Sequence, residues 1–161
     1  MKIIYPGTFD PFSLGHLDLV SRAVEIYDHL IIAISENARK HPMFSLADRV
    51  AMAKMATKEI ENVSVVGFQG LLVELMRQQD VRHVLRGIRG MVDFEYEFQM
   101  AQVNRNMLVG YEPVFLMPSE KYMVLSSTII REVALYGGDV SNFLPQCVYD
   151  YIMPRINHET T

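Results

Sequence analysis

The chain has 161 residues, half of them hydrophobic and 21% charged. Against roughly 150 residues per domain this predicts one domain over 1–161 with its own core, and it excludes a disordered or fibrous chain. Fifteen basic residues against nineteen acids give a net charge of −4 and a pI near 5.7, which excludes a general nucleic-acid or membrane-surface binder, because both need basic faces.

The lone Cys147 excludes an internal disulfide framework and a multi-cysteine zinc site; it suits a reducing compartment and reads as buried filler. No targeting segment is expected, since the apolar run after Lys2 is only Ile3-Ile4-Tyr5 before Pro6. The longest apolar stretch, Leu30 to Ile34, falls far short of the roughly 20 residues that span a bilayer. The expectation is a soluble, cytoplasmic protein.

Along the chain, short β-branched runs alternate with longer segments of helical spacing. Strands are predicted at Lys2 to Tyr5, Leu30 to Ser35, Val63 to Val66, His83 to Arg86 and Val114 to Met117. They are apolar on both parities, as a parallel sheet covered on both faces requires. Leu17, Val20, Ala23, Val24 and Tyr27 fit one helical face, and Ser45 with Asp48 reads as a capping box opening a second helix to about Thr57. Further helices are predicted at Leu71 to Gln79, at Phe94 to Met107, from Ser127 to Tyr136 before Gly137-Gly138, and after Pro145. The fold class is α/β, a doubly wound, five-stranded parallel sheet, whose ligands sit beyond the carboxyl ends of the strands.

The loop after the first strand runs Tyr5-Pro6-Gly7-Thr8-Phe9-Asp10-Pro11-Phe12-Ser13-Leu14-Gly15-His16. Its glycines let backbone approach a ligand, and the helix beyond presents free N–H groups and a positive dipole end to phosphate. His16, on the first turn, is placed to donate to oxygens whose charge grows in a phosphoryl transition state, with the Thr8 hydroxyl beside it. Neither a dinucleotide fingerprint nor a Walker A loop is present.

After the fourth strand, Arg82, His83, Arg86 and Arg89 fall within eight residues that contain no acid; Arg86 and Arg89 around Gly87 read as a fork for anionic oxygens. Asp93, Glu95 and Glu97 follow with the ordinary preference of acids for a helix start, and Glu97 is in reach of a ligand. Arg39-Lys40-His41 after the second strand is either a solvated basic loop or a source of charge for the same pocket, and position favours the pocket for Lys40. Ser126-Ser127-Thr128 entering a helix is an N-cap or a polyphosphate cradle; taken alone, the cap is the simpler reading.

Gly7-Thr8-Phe9-Asp10-Pro11 with Gly15-His16, together with Ser126-Ser127-Thr128-Ile129-Ile130-Arg131, resembles the nucleotidyltransferases that share a histidine signature with class I aminoacyl-tRNA synthetases. Lys40 to Phe44, Arg86 to Arg89, Asp93 to Glu97, Val114 to Ser119 and Gly138 to Val140 extend the resemblance to the bacterial phosphopantetheine adenylyltransferase family over nearly the whole chain, to about Pro145. The resemblance implies a Rossmann-like nucleotidyltransferase fold. It implies adenylyl transfer from ATP to 4′-phosphopantetheine, giving dephospho-coenzyme A and pyrophosphate by direct in-line displacement. It also implies Mg²⁺ with the ATP phosphates, coenzyme A as feedback inhibitor and a homohexamer.

By the same resemblance, His16 and Thr8 act on the reacting phosphates, and Lys40 and Arg86 hold the acceptor phosphate, with Leu72 at the pantetheine arm. Phe9, Gly87, Ile88, Arg89, Glu97 and the run Tyr122, Met123, Val124, Leu125, Ser126, Ser127 and Thr128 bind ATP. The chain departs from the family pattern at Ser13, Leu14, His41 and Met91. Two rivals stand beside this reading: a nucleotidyltransferase that uses nicotinate mononucleotide or a cytidine nucleotide, and a regulatory module that senses ATP without turning it over.

Overall fold

The computed structural model describes residues 1–36 and 41–159, with side chains to residue 156. Five strands, β1 (Lys2–Gly7), β2 (His29–Ser35), β3 (Val63–Phe68), β4 (His83–Gly87) and β5 (Glu112–Leu116), form one all-parallel sheet in the order β3-β2-β1-β4-β5. The helices are α1 (Leu14–Ala23), α2 (Leu46–Ala56), α3 (Leu72–Gln79), α4 (Met91–Met107), α5 (Ser127–Leu135) and α6 (Gln146–Glu159). Short 3₁₀ turns lie at Glu120–Tyr122 and Ser141–Phe143. This is the expected Rossmann-like α/β architecture.

Strand side chains alternate between two cores. Ile3, Tyr5, Leu30, Ile32, Ile34 and Leu85 pack with residues of α1, α2, α5 and α6. Ile4, Ile31, Ala33 and Val84 pack with residues of α3 and α4 on the other face. Both faces are therefore dry, which is why the strands read as continuous apolar runs rather than alternating ones. Cys147 is half-buried against the first core.

The winding reverses between β1 and β4, and there the ladder is short. Six residues of β1 pair with β2, whereas only Ile3 and Ile4 pair with β4. Tyr5, Pro6 and Gly7 thus diverge from Leu85, Arg86 and Gly87, and a crevice opens at the carboxyl edge.

Four local expectations need correction. Helix α1 stops at Ala23, so Tyr27 is buried from the following turn rather than from the helical face. Ser45 caps α2 by accepting from the Asp48 N–H, but Asp48 accepts from the Ser45 and Tyr151 hydroxyls, so the box is half formed. Helix α4 begins at Met91, three residues early, behind Gly90. Strand β5 covers Glu112–Leu116, because Glu112 continues the ladder through its N–H to the Arg82 carbonyl, and Pro113 is tolerated at an edge.

Candidate active site

A cleft of about 540 Å³ lies at the switch point. On its α1 side the loop after β1 is set by close packing. A Cβ on Gly7 would stand 2.9 Å from the Phe9 ring, and Phe9 itself is held buried at φ 50°, a conformation that costs energy for a bulky residue.

Ser13 then caps α1 in a reciprocal box whose N3 partner is His16. The Ser13 backbone N–H donates to His16 Nδ1 at 3.0 Å. A backbone N–H can only donate, so Nδ1 must accept and the ring proton sits on Nε2. Burial among Tyr5, Phe9 and Phe12, aided by the Arg89 charge, lowers the His16 pKa to about 4. At neutral pH His16 is therefore an uncharged, oriented N–H donor on the cleft wall. Burial also pushes the Tyr5 phenol up, out of any acid–base role near neutrality.

On the opposite face of the sheet, Arg86 shares the parity of Val84 and turns toward α4, where its Nε lies 3.0 Å from Glu97 Oε2. That nitrogen is buried and out of line for a hydrogen bond, so the contact is an ion pair that leaves the rest of the fork for a ligand. Arg89 donates from its backbone N and Nε to Asp93 at 3.2 and 3.0 Å, and from Nη1 to the Leu125 carbonyl at 3.2 Å. Arg131 pairs with Asp10 at 3.3 Å and reaches Thr128 Oγ1. The arginine fork expected from the sequence is thus present, but each arginine that lines the cleft is already matched by a carboxylate. Anion binding here means sharing donors, not filling a bare cationic hole.

At the entry to α5, Ser126 is the N-cap, accepting from the Ile129 N–H, and Ser127 donates to the Pro11 carbonyl at 2.9 Å. The cap reading holds for Ser126, and Ser126, Ser127 and Thr128 at the start of this helix line the cleft.

Of the residues singled out in the sequence, Thr8, Phe9, His16, Leu72, Arg86, Gly87, Arg89, Glu97, Tyr122, Leu125, Ser126, Ser127 and Thr128 line the cleft. Ile88, Met123 and Val124 do not. Ile88 is buried with its N–H on the Leu116 carbonyl, and Val124 points outward from the turn after the 3₁₀ segment. Arg39 and Lys40 lie outside the described residues.

The sequence reading missed Tyr96 and Met100, which flank Glu97 on the same helix and line the cleft; the spacing from Glu97 to Met100 was the available signal. It also missed Arg49 and the role of Asp10. Both are buried, Asp10 in the cleft wall and Arg49 behind it, and a charged residue gives no sign of that in a sequence. Among the described residues no group of three His, Cys, Asp or Glu side chains is placed to hold a metal ion, and no helix is long and apolar enough to cross a membrane.

Comparison with known proteins agrees with this geometry. The family model for cytidylyltransferase-like proteins matches residues 4–133, which includes the His16 loop, the three arginines of the cleft and the α5 hydroxyls. A solved structure from Vibrio parahaemolyticus, provisionally named a nicotinate-nucleotide adenylyltransferase, superposes with a TM-score of 0.75. The match covers 99% of this chain and 96% of that one at 17% identity, so the likeness is one of fold. With the match running through four fifths of its length and through every element of the cleft, the chain belongs to the cytidylyltransferase-like family of nucleotidyltransferases.

Proposed function

We propose that this nucleotidyltransferase moves the adenylyl group of ATP to the phosphate of 4′-phosphopantetheine. The observation that carries the reading is the span of the cleft across the sheet edge. On the α1 and α5 face it holds an uncharged imidazole donor and a helix N-terminus. On the α3 and α4 face it holds Arg86 beside Phe68, Leu72 and Met100. A phosphate monoester on a long, weakly polar arm matches the second end; the compact pyridine and ribose of nicotinate mononucleotide match it less well.

An acceptor phosphate oxygen attacks the α-phosphorus, a new P–O bond forms there, and the bond to the β-phosphate oxygen breaks to release pyrophosphate. The acceptor monoester is ionised near neutrality, with a second pKa of about 6, so the nucleophile needs no general base. Catalysis then rests on positioning and on stabilising charge. His16 Nε2–H donates to a non-bridging α-phosphoryl oxygen, and because the ring is neutral with Nδ1 accepting from Ser13 N–H, that one proton stays aimed at the site at pH 7. Thr8 aligns the reacting groups. The α5 N-terminus with Ser127 and Thr128 takes the departing phosphates through N–H groups and dipole.

Arg86 and Lys40 hold the acceptor phosphate, while Gly87, Arg89 and Glu97 flank the nucleotide. Mg²⁺ enters as part of the nucleotide substrate and is carried by the triphosphate oxygens and water. This reading goes with a homohexamer, for which the exposed apolar residues Met91, Val92, Phe98 and Val103 along α4 offer a surface for subunit contact.

The test is pyrophosphate release from Mg-ATP with 4′-phosphopantetheine, dephosphorylated pantetheine and nicotinate mononucleotide as acceptors. Release with only the first is expected. Release with nicotinate mononucleotide alone would transfer the chemistry to that acceptor, and ATP binding with no release from any acceptor would favour a sensor.

A further inference from the structure

Arg49, on α2, is the largest charged side chain in the molecule's interior, 1% exposed, and it does not line the cleft. Its guanidinium bonds to four main-chain carbonyls. Nε donates to Phe44 at 3.0 Å, Nη1 to Thr8 at 2.8 Å and to Ser35 at 2.7 Å, and Nη2 to Glu36 at 3.2 Å. Burying a guanidinium costs several kcal/mol unless its donors are met, and the same burial lowers the Arg49 pKa from its ordinary value.

The partners are distributed in a telling way. Thr8 belongs to the loop after β1, which carries His16. Ser35 ends β2, Glu36 follows it, and Phe44 leads into α2, so Arg49 ties the end of β2 to the start of α2. One nitrogen, Nη1, serves Thr8 and Ser35 together, and the two loops cannot separate without losing a bond. Asp10 closes the same arrangement from the other side. It is 2% exposed, and its carboxylate accepts from the Met43 and Phe44 N–H groups at 2.8 and 3.0 Å.

We propose that Arg49 is a positioning residue for nucleotidyl transfer: its guanidinium ties the loop after β1 to the end of β2 and the entry to α2, and so fixes where Thr8 and His16 stand against the reacting phosphates. Only a planar fork with five donors reaches four carbonyls from three segments; lysine, a point charge with three donors, does not. A shift of about 1 Å in such a framework is enough to lower a rate 10²-fold with no residue at the reacting atoms altered.

The experiment compares wild type, Arg49→Lys and Arg49→Met, each well below its own unfolding midpoint, with rates expressed per folded molecule. The assay uses whichever acceptor the wild-type enzyme accepts, so it rests on nucleotidyl transfer and not on phosphopantetheine in particular. The expected result is a kcat lowered about 10²-fold in both variants, with the Mg-ATP dissociation constant near the wild-type value and Arg49→Lys no better than Arg49→Met. A lowered midpoint with kcat retained would reduce Arg49 to a structural residue and overturn the proposal. Parallel loss of ATP binding and rate would overturn it as general collapse, and so would failure of both variants to fold in the cold. A wild-type enzyme silent with every acceptor sinks this proposal together with the proposed function.

Discussion

The two walls of the cleft are wired on different length scales. On the α1 wall the decisive contacts are local: Ser13 and His16 bond to each other within one helical turn, and the product is a single, uncharged, oriented donor. On the α4 wall the contacts join charges and reach farther along the chain, Arg86 to Glu97 and Arg89 to the Leu125 carbonyl, with only Arg89 and Asp93 paired within one turn. The first wall presents one fixed group; the second holds charges that are already paired, and in the proposed function an arriving anion takes over part of that pairing. A rigid donor suits the reacting phosphorus, where charge develops during the step, and exchangeable pairs suit substrates that must bind and leave.

Removing the fixed donor gives the largest expected effect. His16→Ala should lower kcat by about 10²–10³, the scale of a lost charge-stabilising donor, while calorimetry finds Mg-ATP still bound. An unchanged kcat would end the contrast between the walls.

Next in size is Arg86→Ala, expected to raise the acceptor KM about 10- to 100-fold, as for a lost charge-assisted hydrogen bond worth about 1.5–3 kcal/mol. Part of that loss comes from the Glu97 charge left behind, so Arg86→Ala with Glu97→Gln should recover some acceptor affinity. A double variant no better than the single would show that the pair does not exchange.

Titration is a finer probe. Because the folded pKa of His16, about 4, lies below the 6.5 of a free histidine, the unfolded chain takes up this proton first as pH falls. The contribution of His16 to stability is therefore complete above about 6.5 and lost between there and 4. Imidazole NMR should find the ring neutral, with Nε2 protonated, down to about pH 5. Replacing His16 by Asn should flatten the fall of the unfolding midpoint over the same window. A ring titrating at its ordinary value would contradict the description of the α1 wall.

The smallest effect is expected for Ser13→Ala. It removes the hydroxyl half of the cap at about 1 kcal/mol, or about 2–4 °C in the midpoint. It spares the backbone N–H that fixes the tautomer, so kcat should fall far less than in His16→Ala. A loss as large as that of His16→Ala would shift the orienting role from backbone to hydroxyl.

The alternation of five strands with helices was legible in the sequence, because burial of both sheet faces leaves both-parity apolar runs such as Leu30 to Ile34, which no surface element imitates. That His16 and the α5 hydroxyls come to the cleft was legible because both stand at helix starts that follow strands, and such starts have local signatures. Boundaries were less so: Gly90-Met91-Val92 has no side-chain cap, and its exposed apolar residues give no helical face to recognise.

What remained for the tertiary structure was every relation between distant charges. An arginine on an amphipathic helix reads as surface, yet Arg49 is buried, because the carbonyls of Thr8, Ser35, Phe44 and Glu36 converge on it only after β1 and β2 lie side by side. In the same way the sequence determined that Arg86 and Arg89 stand at a strand end. Only the strand order β3-β2-β1-β4-β5 decided that they stand across a crevice from a neutral His16, since which loops meet at a sheet edge depends on which strands are neighbours and not on their order in the chain.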